Sequence, residues 1–170
     1  RTIGKALQVA QRGDRIILAK TREPYRESVT LQASRHSGML TQPFILEGNG
    51  ATLDGSRPIP EAAWQSVPNR PGVFRYQPRF KSHILLYLHG RPGPRVTVPQ
   101  DATEVPELAP LQWCLFRGHV YFRVEADNIP AAYVLSATAL PVGITLYEAR
   151  HIQIRNLVVQ GFRLDGINAH

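Results

Sequence analysis

Cysteine is nearly missing from this 170-residue sequence, where Cys114 stands alone. An intramolecular disulfide is therefore excluded, and so is any cysteine-based zinc cluster. Lysine is scarce too, with only Lys5, Lys20 and Lys81. Long apolar runs are absent. The longest stretch without a charged side chain, Asn128 to Tyr147, contains Pro130, Pro141, Gly143, Ser136, Thr138 and Thr145, and makes a poor membrane span. No Asp-x-Asp cluster marks a hard-cation site, and no phosphate loop or Gly-x-Ser-x-Gly elbow is present. Gly48-Asn49-Gly50 is not a dinucleotide loop, because no helical pattern follows it. The chain opens at Arg1 without methionine or signal peptide, and reads as a processed piece of something longer.

What is there is a globular balance, 43% hydrophobic and 19% charged, of about one domain's length. Thirteen glycines and fourteen prolines suit a protein of many turns better than a helical bundle. The net charge is +7 and comes from seventeen arginines and three lysines against thirteen acids. A basic chain invites a nucleic-acid reading. The arginines are scattered, however, with no basic run and no recognition-helix or RNA-binding signature. That leaves an arginine-biased solvated surface, or an anionic polysaccharide partner, ahead of nucleic acid.

Apolar periodicity sets the organisation. Ile3, Ala6, Leu7 and Ala10 recur at helical spacing behind Thr2 as a cap, and Gly13 ends the helix. Short strands follow at Arg15–Ala19, Ser28–Gln32, Pro43–Gly48 and Ala51–Leu53, the last before an Asp54-Gly55 turn. At the other end, Gly143-Ile144 is echoed by Gly166-Ile167 after 23 residues, with strand patterns at His151–Ile154 and Leu157–Val159 between them. That spacing matches one coil of a parallel β-helix and is too short for a β-strand–helix–β-strand unit. The middle differs: Trp113–Phe116 and His119–Val124 flank Arg117-Gly118 as a hairpin. The expectation is all-β: right-handed parallel β-helix coils with an N-terminal capping helix and an inserted antiparallel subdomain. Residues 1–58 form the helix and first coils, 59–140 the insert and 141–170 a further, truncated coil.

The residues Thr2-Ile3-Gly4-Lys5-Ala6-Leu7, Gly13-Asp14-Arg15-Ile16 and Tyr25-Arg26-Glu27 resemble the opening of right-handed parallel β-helix proteins of the pectate-lyase-like superfamily. The stretch from Gly143-Ile144-Thr145 through His151–Leu157 to Asp165-Gly166-Ile167 resembles one of their coils. The resemblance covers about 90 residues at the two ends. It departs at Arg12, where proline is usual, and at Glu23-Pro24. It implies a protein outside the cytoplasm (secreted, periplasmic or at the cell surface) that handles a polysaccharide. Lyase, hydrolase and epimerase activities all occur on this fold, so the fold selects none of them. If the protein is an enzyme, the expected class is a polysaccharide lyase or glycoside hydrolase. The alternative is a non-catalytic solenoid for adhesion or surface structure. No cofactor is expected; coils downstream of His170 leave room for a calcium ion but nothing in this sequence calls for one.

Candidate chemistry gathers at the end of the chain. Arg163, Asp165 and His170 are candidates for substrate binding, because a lyase needs a base beside a uronate carboxylate and a cation to steady the charge that develops. The simpler reading of Asp165-Gly166 is a turn. Asn156 reads as structural, bonding backbone groups at a bend, and Gly143 and Gly166 as structural glycines of the repeat. Neither His83 with His89 nor Cys114 with His119 makes a convincing metal pair. The last coil, with Ile144, Ile152, Ile154, Leu157, Val159 and Ile167, is expected to be open to self-association.

Overall fold

The computed structural model describes residues 2–80 and 82–170; Arg1 and Lys81 lie outside them. The chain begins with α1 (Ile3–Val9), where the Thr2 hydroxyl accepts the Lys5 N–H at 3.1 Å. Seven residues are too few for a helix to stand alone in water, and nearly all of its terminal amides and carbonyls need outside partners. Distant side chains supply them at both ends. The Glu27 carboxylate accepts the Ile3 N–H at 2.8 Å and the Gly4 N–H at 2.9 Å. At the other end Arg35 donates to the Gln8 carbonyl at 2.6 Å, and His36 Nε2 meets the Leu7 carbonyl at 2.9 Å. His36 Nδ1 accepts the Gln32 N–H at 2.9 Å, so the proton of the neutral ring belongs on Nε2. Glu27→Gln removes the negative charge and turns an amide NH2 toward one helix N–H. The expected loss is about 1.5–3 kcal/mol, the range for hydrogen bonds to a charged group. An unchanged urea midpoint for this variant would show that the carboxylate does not hold the helix.

The remaining elements are β1 (Arg15–Ile17), β2 (Val29–Gln32), α2 (Ala33–His36), β3 (Phe44–Asp54), β4 (Ser56–Pro58), β5 (Gln65–Ser66), β6 (Val73–Tyr76) and β7 (Leu86–Leu88). They are followed by β8 (Arg91–Pro92), β9 (Trp113–Phe116), β10 (His119–Arg123), β11 (Leu135–Thr138), β12 (Val142–Tyr147), β13 (Ile152–Gln160) and β14 (Asp165–Ala169). The chain divides into two compact units, Arg1–Ser56 with Ala139–His170, and Arg57–Thr138.

The first unit holds two three-stranded parallel sheets, ordered β1-β3-β13 and β14-β12-β2. In the second of these Ile144 pairs with both Val29 and Ile167. The core contains Leu31, Phe44, Leu46, Leu53 and Ile144, none of them measurably exposed, and α1 lies on it through Ile3, Leu7 and Ala10. Both long strands carry left-handed residues, Asn49 and Gly50 in β3 and Asn156 in β13, where the β3–β13 register slips between Arg155 and Leu157. This is bulge geometry, which bends a strand without ending it.

The second unit is built from hairpins. One sheet is ordered β5-β6-β10-β9, with β5–β6, β6–β10 and β9–β10 antiparallel. The other is ordered β4-β11-β7-β8, with β11–β7 and β7–β8 antiparallel. The β9–β10 turn has positive φ at both Arg117 and Gly118, as a tight two-residue hairpin turn requires. Trp113, Val120, Phe122 and Leu86 fill one cluster, and Cys114, Val73, Leu108 and Tyr121 a second.

These sheets correct the expected fold class. The protein is mostly β with two short α-helices, but among the described residues its strands form four small separate sheets, two of them parallel, and no solenoid of stacked coils. The 23-residue echo is a real parallel pairing of β12 with β14. A single recurrence extends a sheet by one strand, however, and does not build a right-handed β-helix. Residues 57–138 contribute antiparallel pairs.

Candidate functional site

The turn from β12 to β13, Glu148-Ala149-Arg150-His151, has left-handed backbone at Glu148 and His151. Neither residue is glycine, so neighbours must hold the turn in place. The Gly38 N–H donates to the Arg150 carbonyl at 2.9 Å, and the Arg150 N–H donates to Ser37 Oγ at 3.2 Å. The Phe44 N–H donates to the His151 carbonyl at 2.9 Å, and the Glu148 N–H to the His170 carbonyl at 2.8 Å. The turn is thus fastened to the segment after α2 on one side and to the end of β14 on the other.

Beside it opens a cleft of about 840 Å³, lined among others by Arg12, Ser37, Glu148, Arg150, His151 and His170. Its volume falls within the roughly 300–1,000 Å³ usual for small-ligand clefts. Two arginines outweigh one glutamate, and the lining is largely polar. Arg12 is steadied by a long hydrogen bond to the Ala33 carbonyl, 3.4 Å. The arrangement suits a polyhydroxylated ligand, which needs many donors and acceptors, and tolerates a negative charge on it.

The residues singled out from the sequence do not converge. Asp165 and His170 stand at opposite ends of β14, five residues apart, or about 16 Å at strand rise. Asp165 is exposed and receives a long bond from Asn168 Nδ2, 3.5 Å. Arg163 turns inward, its Nε donating to the Ala139 carbonyl at 3.2 Å and its N–H to the Leu140 carbonyl at 2.9 Å. Of the three, only His170 reaches the cleft. Arg12, Glu148, Arg150 and His151 were missed. The available signal was the bend at Glu148–Arg150, which marks a turn but not what faces it.

Asn156 donates from Nδ2 to Glu47 Oε1 at 2.8 Å. Glu47 is 9% exposed, and its carboxyl is held below the usual range. The Asn156 bond is the main cause, followed by the Asn49 N–H, with Arg15 and Arg155 adding charge against the opposing effect of burial. Gly143 lies against β14: a Cβ there would meet the Gly166 carbonyl oxygen at 2.5 Å. Gly166 has room, its nearest neighbour being Val159 at 3.4 Å. Cys114 pairs with Tyr121 and not with His119, and burial pushes its thiol up to about 11. Among the described residues no group of three His, Cys, Asp or Glu is placed to hold a metal ion. No helix among them is long and apolar enough to cross a membrane.

No family model matches this chain, and no curated protein does so either. One solved structure, the complex structure of XylC with xylose, is similar with a TM-score of 0.57 and 21% identity, over 90% of this chain and 31% of that one. This chain therefore spans under a third of the length of that protein. The likeness is one of fold, β-helix-like in the loose sense of parallel strands drawn from distant segments.

Proposed function

We propose that this is a carbohydrate-binding protein acting on a polysaccharide outside the cytoplasm, with the β12–β13 cleft as its contact with the saccharide. The observation that carries the reading is the cleft itself, polar, arginine-flanked and of small-ligand size. The fold likeness to XylC, whose structure holds xylose, adds support. Arginine forks on the rim suit a glycan that carries carboxylates. If the protein also cleaves its glycan, the titratable groups at hand in the cleft are Glu148, His151 and His170.

The test is a panel of neutral and acidic oligosaccharides titrated against the protein and against Ala149→Trp, which fills the cleft from its own lining. At least one glycan is expected to bind and to weaken at least about tenfold in the variant, with the melting temperature held. A panel in which nothing binds, or in which the variant binds as well as the parent, overturns the reading.

A further inference from the structure

A second cavity, of about 330 Å³, lies wholly within residues 57–138 and is lined by Asn69, Arg70, Val73, Glu107, Leu108 and Arg123 among others. Arg70 sits in the turn between β5 and β6, and Arg123 ends β10. Both guanidinium groups are held by backbone carbonyls of one segment. Arg70 Nη1 donates to Val105 at 2.7 Å and to Pro106 at 3.3 Å, and Arg123 Nη1 donates to Leu108 at 2.6 Å. Their side chains are only 34% and 35% exposed, so the forks are partly desolvated and already oriented.

Their counter-charges are weak. Glu104 lies 3.9 Å from Arg70 Nη2 and is 85% exposed; Glu107 lies 3.9 Å from Arg123 Nη1 and is 94% exposed. Exposed pairs at that distance contribute little. Among the described residues, Nε of both arginines and Nη2 of Arg123 have no hydrogen-bond acceptor, and Nη2 of Arg70 has only the distant Glu104. Two preoriented forks on one cavity, with donors to spare and only exposed glutamates nearby, match the needs of an oxyanion.

We propose that this cavity is an oxyanion site, in which Arg70 and Arg123 together hold a sulfate, phosphate or carboxylate group and Glu104 and Glu107 swing aside. The proposal is independent of the carbohydrate reading and concerns a different unit of the chain. The ligand group arrives either as a free ion or on an acidic polymer, and the experiment separates the two.

Sodium sulfate, sodium phosphate and a galacturonate oligomer are titrated by calorimetry at constant ionic strength set with chloride. Saturable binding of at least one is expected. Arg123→Gln weakens it about tenfold. Glu104→Gln and Glu107→Gln, which alter only exposed side chains, each strengthen it by about threefold, the scale of one exposed charge pair. Binding by sulfate or phosphate alone assigns a free-ion site, and tighter binding by the oligomer assigns a polymer-borne carboxylate. No saturable binding by any of the three overturns the proposal. So does binding that the two glutamate variants leave unchanged, a result that can be read even if Arg123→Gln does not fold.

Discussion

Leu7→Asp is expected to cost about 4 kcal/mol or more. Leu7 is 4% exposed and sits on the core of the first unit beside Ile3 and Ala10. The substitution removes an apolar side chain worth roughly 1.5–3 kcal/mol and puts a carboxylate among the apolar side chains of the core. It also places negative charge near the C-terminal end of α1, where the helix dipole opposes it. Against a total stability of roughly 5–15 kcal/mol this is a large fraction. Thermal and urea unfolding measure it, with Gln8→Asp on the exposed side of the same helix as the control, expected within about 0.5 kcal/mol of the parent. If both variants melt with the parent, α1 does not pack as described.

Gly48→Ala is expected to cost about 3 kcal/mol, while Gly166→Ala is expected to change stability by less than about 0.5 kcal/mol. A Cβ at Gly48 would overlap the Asn156 carbonyl oxygen and lie 2.6 Å from Leu157 Cα. Both are backbone atoms of β13, which cannot rotate aside, so the β3–β13 pairing itself must spread. At Gly166 the same methyl meets only Val159, at ordinary contact distance. Equal losses for the two variants, by urea midpoint, would mean that the close approach at the bulge is not what selects glycine.

That close approach also shows where the sequence could and could not be read. The α1 pattern, the Val29–Leu31 alternation and the Trp113–Arg123 hairpin were legible, because each is encoded within a dozen residues. Gly48 and Arg155-Asn156 looked like strand ends, yet β3 and β13 run through them. Left-handed residues inside a strand resemble turn residues until a partner strand with a matching slip is known. The short helix α2, which brings His36 to α1, was hidden inside a polar loop, and its role depends on contacts 29 residues away. The cleft was illegible for the same reason: Arg12 and Ser37 meet Arg150 and His170 across more than a hundred residues, and no spacing rule spans that distance.

The unit that carries the cleft is interrupted in sequence by the whole of residues 57–138, and this has a kinetic side. Phe44 must find Ile152 before the β1-β3-β13 sheet is complete, and Val29 must find Ile144 before the β14-β12-β2 sheet is. The other unit is one continuous segment in which β5–β6, β7–β8 and β9–β10 are local pairs, while β6–β10 and β7–β11 join strands closer in the chain than β3 is to β13. Gly55 accepts hydrogen bonds from both Ala139 and Leu140, so the points where the chain leaves and re-enters the first unit adjoin. Once the continuous segment has closed, the open chain separating Phe44 from its partner Ile152 shrinks roughly fourfold, which lowers the closure entropy by about 1 kcal/mol. Closure entropy therefore favours assembly in which the local hairpins form first and the parallel strands second, with the cleft completed by the second step.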